Sequence, residues 1–439
     1  MEIILSKVDN AFILLCSALV ILMSIPGLAL FYGGMVRSKN MLSVLVQVFT
    51  IFSLAFVLWA IYGYTFAFGE GGNQFIGGAN KLLLTGISAD SLIKTFSENV
   101  YINEITYVIF QGAFAGITCA LIVGSFAERI KFSALLVFIL IWFSFSYIPM
   151  AHMVWAWAGP TAYATAESAA AAEKVSGFLF NHGALDFAGG TVVHINAAIA
   201  GLIGAKIIGN RIGLGNVAMA PHNLTVTMIG GSLLWFGWFG FNAGSALEAN
   251  GTAALAMLNT IIAAAMGTLG WLFAEWYYKG KPSLLGVISG AVAGLVMITP
   301  SAGFVGVGGA LILGLIGGVA CLWGVNGLKK WLKIDDTLDV FGIHGLGGIL
   351  GAILAAFFAN PLLGGTGLYD YSTKQIAEYD TLHQLWVQTE GVIVAIIWSG
   401  VVSWIAFKLV DKFIGLRVSS DEEREGLDLS THGESAYRH

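Results

Sequence analysis

The 439-residue chain is 57% apolar and 11% charged, with a mean hydropathy of +0.81. That is more apolar material than a soluble core absorbs, so a soluble globular protein is excluded and an all-α polytopic membrane protein is indicated. The net charge of −5 comes without a large basic cluster, which leaves no electrostatic footprint for nucleic acid.

Windows of about 20 apolar residues can cross a hydrocarbon core roughly 30 Å thick, and eleven are centred near Val20, Phe56, Gly116, Val137, Ala198, Ser232, Ile262, Ala291, Gly314, Leu350 and Ile397. The first run, Ala11 to Leu30, is too long for a signal-peptide core and has no cleavage site after it, so it is expected to stay as a span. Eleven spans place the termini on opposite sides. With the N-terminus outside, 16 of the 21 basic residues lie in inner loops and the tail, leaving only Lys7, Lys81, Lys94, Lys174 and Lys374 outside. The positive-inside rule then predicts a multi-pass plasma-membrane protein with a cytoplasmic C-terminus. Residues 1–414 form the expected transmembrane domain, with the eleventh span at about 383–412. From Gly415 the composition turns charged, and residues 415–439 are too few for a core of their own. Cys16, Cys119 and Cys321 lie inside apolar runs without CxxC or Cys/His spacing, so they carry no redox or metal signal.

Two histidines stand inside apolar spans. Asp186 precedes His194 by eight residues, Asp336 precedes His344 by eight, and both pairs are separated by 150 residues. Ionisable groups at membrane depth are functional candidates by default. Glycines follow both histidines at plus seven, Gly201 and Gly351, and Gly27, Phe31 and Gly34 share their spacing with Gly237, Phe241 and Gly244. An inverted five-plus-five repeat is therefore expected, over about 9–210 and 221–360, of the kind that places sites near the bilayer midplane. At 1.5 Å per helical residue each histidine would lie about 12 Å inside its acid, where the two imidazoles can meet. Such a pair can bond a small neutral solute or relay a proton, titrating jointly; two unrelated buried histidines are the plain alternative. Asp186 and Asp339 are expected to cap spans five and ten.

Span three carries Phe110 and Phe114 on one helix face, span six carries Trp235 to Phe241 followed by Ser245, and Trp155 closes span four. These aromatics suit lipid anchoring, core packing or a cage for a small cation, and the residues alone do not choose. Nothing points to an enzyme. Gly345-Leu-Gly-Gly lacks the context of a phosphate loop, and Asp186, Asp335, Asp336 and Asp339 are divided between the two sides of the membrane, so no metal or acid/base dyad is expected.

Asp9-Asn-Ala-Phe, Ile25-Pro-Gly-Leu-Ala-Leu-Phe-Tyr-Gly-Gly, Asp186-Phe-Ala-Gly-Gly-Thr-Val-Val-His-Ile-Asn and His432-Gly-Glu-Ser-Ala-Tyr together resemble the ammonium transporter family (Amt/Mep/Rh), and more closely its bacterial and archaeal branch, essentially end to end. The resemblance implies eleven spans, an inverted repeat and a homotrimer with one pore per subunit, without a cofactor. It implies an outer ammonium site at Phe110, Trp155 and Ser245, a stacked gate of Phe114 and Phe241, twin pore histidines at His194 and His344, and a supporting acid at Asp186. It further implies a regulatory tail starting at Gly415, packed across the neighbouring subunit and recognised by a PII-type signal protein. The alternatives are a passive ammonia channel of Rh type and an ammonium sensor; a respiratory-complex subunit would need cofactor ligand pairs that the sequence does not contain.

Overall fold

The computed structural model describes residues 5–437. Among the described residues, eleven helical spans are long and apolar enough to cross a membrane: Lys7–Met35, Ser38–Phe68, Glu104–Ser125, Phe132–Trp155, Gly190–Ile208, Leu224–Gly244, Gly251–Lys279, Leu284–Ser301, Val307–Leu332, Phe341–Phe358 and Thr381–Phe413. Each of the eleven centres read from the sequence falls in its own span. Hydrophobic length selects these segments, and polar side chains fix several of their ends. Asn103, Asn250 and Asp380 accept backbone N–H groups in the first turns of spans three, seven and eleven.

Glycine sets the packing of spans one and six. A Cβ on Gly27 would lie 3.3 Å from the Leu234 backbone and one on Gly34 only 2.4 Å from Thr227, while Gly237 and Gly244 of span six press on Met23 and Cys16 of span one. The glycines with matched spacing are thus the close-approach points of one antiparallel crossing, where only a small residue lets the backbones meet. The four central spans three, four, five and eight are the most buried.

On the face of the molecule carrying Trp155, the long loops interlock. Strands β1 (Leu92–Lys94) and β2 (Tyr101–Asn103) pair antiparallel, as do β3 (Tyr369–Asp370) and β4 (Gln375–Ile376). Lys94 donates to Thr161, Tyr371 to the Phe96 carbonyl, and Ser97 to Glu248.

The opposite face is held by charge. Arg211 grips Asp335 through Nε and Nη2 at 2.9 and 2.8 Å, Arg129 donates to the Asp335 carbonyl at 2.6 Å, and Glu128 joins Arg211 to Arg37. Burial pushes the Asp335 carboxyl up, but the hydrogen bonds and charges of Arg211 and Arg129 outweigh it and hold the group down at about 2. Burial likewise raises Glu128, and its two arginines still leave it below its ordinary value.

The tail docks on this same face of its own chain. Gly415, at φ +75°, ends span eleven, with its N–H returning to the carbonyls of Val410 and Asp411. Leu416 accepts from the Lys131 N–H and Val418 donates to the Arg129 carbonyl. Two short helices, Ser420–Glu425 and Leu427–His432, follow. Asp428 caps span two by accepting the N–H groups of Leu42 and Ser43 at 3.0 and 2.7 Å, and Glu423 binds Arg417 and the Ile212 N–H. A tail too short for its own core is ordered by borrowing the core and helix ends beside it.

Candidate functional site

The aromatic and histidine candidates form one column through the centre of the bundle. Phe110 meets Phe114 at 4.9 Å between ring centroids, Trp155 stands edge-on to Phe114 at 5.9 Å, and Phe114 stacks on Phe241 at 4.0 Å and 13°. Phe241 lies 6.2 Å from the His194 ring, whose Nδ1 is 3.2 Å from the Nδ1 of His344. Ser245 donates its hydroxyl to the Phe241 carbonyl at 2.8 Å, which keeps its lone pairs free to accept. Gly244 brings this turn against Phe110, because a Cβ there would lie 2.8 Å from the ring.

Span five does not begin where the apolar run does. Asp186 precedes the helix and folds back on it, accepting from the N–H groups of Gly189, Thr191 and Val192 at 3.0, 2.9 and 3.0 Å. The Trp155 indole donates to the Asp186 carbonyl at 2.9 Å, and Gln388 clamps Leu185 through both its N–H and its carbonyl. Burial pushes the Asp186 carboxyl up to about 6 against these N–H donors. Its carboxylate is thus committed to the helix end, the structural role expected for it. The straight helical rise from acid to histidine is corrected: residues 186–189 are a turn, made by Gly189 at φ +106°, and a π-helical turn, Gly190–Ile195, carries His194. Gly190 passes so close to Pro300 that a Cβ would lie 2.5 Å from it.

The Asp336–His344 segment repeats this geometry. Asp336 accepts from the Phe341 N–H at 2.7 Å, the same five-residue reach that Asp186 makes to Thr191. Asp339, 150 residues after Gly189, is likewise left-handed at φ +61°, and a π-helical turn, Phe341–Gly345, carries His344. Asp336 is therefore the cap of span ten. The expectation that Asp339 would cap it is corrected: a left-handed residue there aims its carboxylate sideways into an ion pair with Lys329 at 2.7 Å. Gly348 of span ten lets the two histidine segments touch, a Cβ there lying 3.2 Å from the Cβ of His194.

With two Nδ1 atoms facing each other, one ring must donate and the other accept, so their protonation is a shared property. His194 Nε2 is buried and has no hydrogen-bond partner among the described residues. A narrow apolar cavity of about 10 Å³, room for about one water-sized molecule, adjoins it, bounded by Phe31, Leu121, Leu234, Trp238, Phe241 and both histidines. A second cavity of about 10 Å³ touches Lys329 and Asp336 on the tail side. Among the described residues no group of three His, Cys, Asp or Glu could hold a metal ion, and the three cysteines are buried and free.

Trp238 and Thr299 were not singled out in the sequence. Trp238 stacks on His194 at 5.4 Å and 26°, and its indole donates to Thr299 Oγ1 at 2.9 Å. For Trp238 a signal existed, three residues before Phe241 on the same helix face; Thr299, 61 positions away, left none.

The fold and site define a polytopic membrane protein with two histidines in contact at the base of an aromatic column. The family model described as Ammonium Transporter Family matches residues 11–437, and the chain belongs to that family. It is 43% identical to a Bacillus subtilis (strain 168) protein named "Ammonium transporter", covering 98% of each chain. Among solved structures, one titled "Sensor Amt Protein" superposes with a TM-score of 0.84 at 26% identity, covering 97% of this chain and 98% of that one. Candida albicans Mep2 superposes at 0.81 with 30% identity, covering 95% and 88%.

Proposed function

We propose that this protein carries ammonium nitrogen across the plasma membrane. Ammonium is recruited beside Phe110, Trp155 and Ser245, loses its proton near the Phe114–Phe241 stack, and crosses the apolar lumen as ammonia past His194 and His344. The observation that carries this reading is the His194–His344 contact, 3.2 Å between Nδ1 atoms, at the base of an aromatic column inside eleven apolar spans. An ammonium ion stripped of water in such a lumen meets a large desolvation penalty. Neutral ammonia needs only one or two hydrogen-bond partners, and the free Nε2 of His194 supplies one. Ring faces attract ammonium by roughly 0.5 to 2 kcal/mol, which suits the aromatic end for recruitment rather than passage.

In this reading residues 1–414 are the transport domain, built as an inverted repeat and assembled as a lipid-embedded homotrimer with the N-terminus outside. The tail from Gly415 is a cytoplasmic regulatory segment that a PII-type protein reads. The resemblance to "Sensor Amt Protein" favours one second reading, an ammonium sensor.

The test is the current evoked by an ammonium jump on solid-supported membranes bearing proteoliposomes. The expected result is a saturable current with ammonium and none with potassium, and admission of potassium once His194→Asp is made. A protein that conducts ammonia without charge gives flux but no current. A sensor gives neither. Potassium exclusion surviving in His194→Asp would overturn the deprotonation step.

A further inference from the structure

A histidine ring in an apolar cavity works only if something fixes its plane. Among the described residues His194 has a single side-chain hydrogen bond, to His344, and its face rests on Trp238 at 5.4 Å. Trp238 is itself 2% exposed and is oriented by one polar contact, from its indole N–H to Thr299 Oγ1. Thr299 is fully buried. Its hydroxyl proton goes to the Leu295 carbonyl at 2.7 Å, so a lone pair of the same oxygen is left to accept from the indole.

Thr299 also holds the turn that precedes the same histidine. Its carbonyl accepts from the Ala188 N–H at 3.2 Å, and the Pro300 carbonyl accepts from Phe187 at 2.9 Å, holding the turn that launches span five. Pro300 is the residue against which Gly190 packs. The Thr299–Ser301 turn at the end of span eight is thus joined to span six by a side chain and to the start of span five by backbone.

We propose that Thr299 is a positioning residue: its hydroxyl sets the plane of Trp238, and through it the orientation of His194 and the direction in which His194 Nε2 faces the cavity. This rests on the twin-histidine reading above. Groups that must be held within about 0.5 Å and 10–20° need such support from a second set of side chains. A buried indole N–H that loses its acceptor will also seek another one by rotating.

Thr299→Val keeps the shape and removes the acceptor; Thr299→Ser keeps the acceptor. Expected for Thr299→Val are a properly folded protein, an ammonium current reduced by about tenfold or more, and weakened exclusion of potassium, with Thr299→Ser close to wild type. In a Trp238→Phe background, which has no indole N–H, Thr299→Val should add nothing. Three results would overturn the proposal: wild-type current and selectivity in Thr299→Val, equal impairment of the Val and Ser variants, or a full Thr299→Val effect in the Trp238→Phe background. A structure of Thr299→Val decides the matter independently of transport. Rotated Trp238 and His194 rings support the proposal and unmoved rings overturn it, even if the wild-type protein gives no ammonium current and the transport reading itself fails.

Discussion

The segments that lead into His194 and His344 have the same backbone and differently charged side-chain fastenings. Both run acid, left-handed residue, π-helical turn, histidine. The Asp186 segment is fastened by neutral hydrogen bonds from Gln388, Trp155 and the Thr299–Pro300 turn. The segment beginning at Asp335 has the matching backbone bonds, from Thr337 and Leu338 to the carbonyls of Ser125 and Gly124, but its side-chain fastenings are ions: Arg211 and Arg129 on Asp335, and Lys329 on Asp339. The shared backbone thus goes with a shared backbone anchor, two successive N–H groups on the carbonyls that end a neighbouring span. Side-chain anchorage is a separate matter, solved once with uncharged groups and once with charges, the latter on the face that also docks the tail.

The largest expected effect breaks the ionic anchor. Asp335→Asn leaves the buried Arg211 and Arg129 without their carboxylate, and loss of one partner in a buried pair costs about 3–5 kcal/mol. The check is thermal unfolding of the detergent-solubilised protein. Because the folded carboxyl titrates near 2 rather than its unfolded value of about 4, its stabilisation is present above pH 4 and lost as pH falls through 2. The penalty of Asp335→Asn should then be flat between about pH 5 and 8. A penalty that varies over that range would show that Asp335 is not held as an ion by its arginines.

The neutral anchor should fail by less. Gln388→Leu leaves the Leu185 N–H and carbonyl without the partners they now have at 2.6 and 2.9 Å, at about 2–4 kcal/mol for the two buried groups. The side chain carries no charge, so this loss too should be independent of pH, and it should reduce ammonium current by loosening the turn before His194. If Gln388→Leu cost as much as Asp335→Asn, the division into a charged and an uncharged anchor would have no energetic meaning.

How far the sequence reached follows the same division. The spans were legible because hydrophobic length is local, and every expected centre lies in a helix. The histidine contact was legible because the acid and histidine spacing recurs at one offset. Asp186 as a helix cap was legible from its position before an apolar run. Asp336 was not, because choosing between Asp336 and Asp339 requires knowing which residue turns left-handed, and a non-glycine there sends no signal. The Arg211–Asp335 and Trp238–Thr299 contacts were hidden for another reason: they join residues 124 and 61 positions apart, and which buried partners meet is decided by packing. The tail is legible as a charged stretch too short for its own core, and its docking through Asp428 to the N–H groups of Leu42 and Ser43 is not.

The smallest effect tests whether the two segments share a backbone at all. Gly189 sits at φ +106°, where a side chain is strained, and a Cβ would lie 2.6 Å from Val193 Cγ2. Gly189→Ala should therefore destabilise by about 1–3 kcal/mol. Its counterpart Asp339 holds φ +61° with a side chain, a conformation costing roughly 1–2 kcal/mol that glycine would relieve. Asp339→Gly also gives up the pair with Lys329, worth about 0–1 kcal/mol at its partial exposure, and increases the freedom of the unfolded chain by about 0.4–1 kcal/mol. These terms nearly cancel, so Asp339→Gly should lie within about 1 kcal/mol of wild type. Unequal outcomes at matched positions are what one shared left-handed turn requires. If Gly189→Ala were neutral, the turn before His194 would not need its left-handed residue, and the likeness of the two segments would be confined to their acids and histidines.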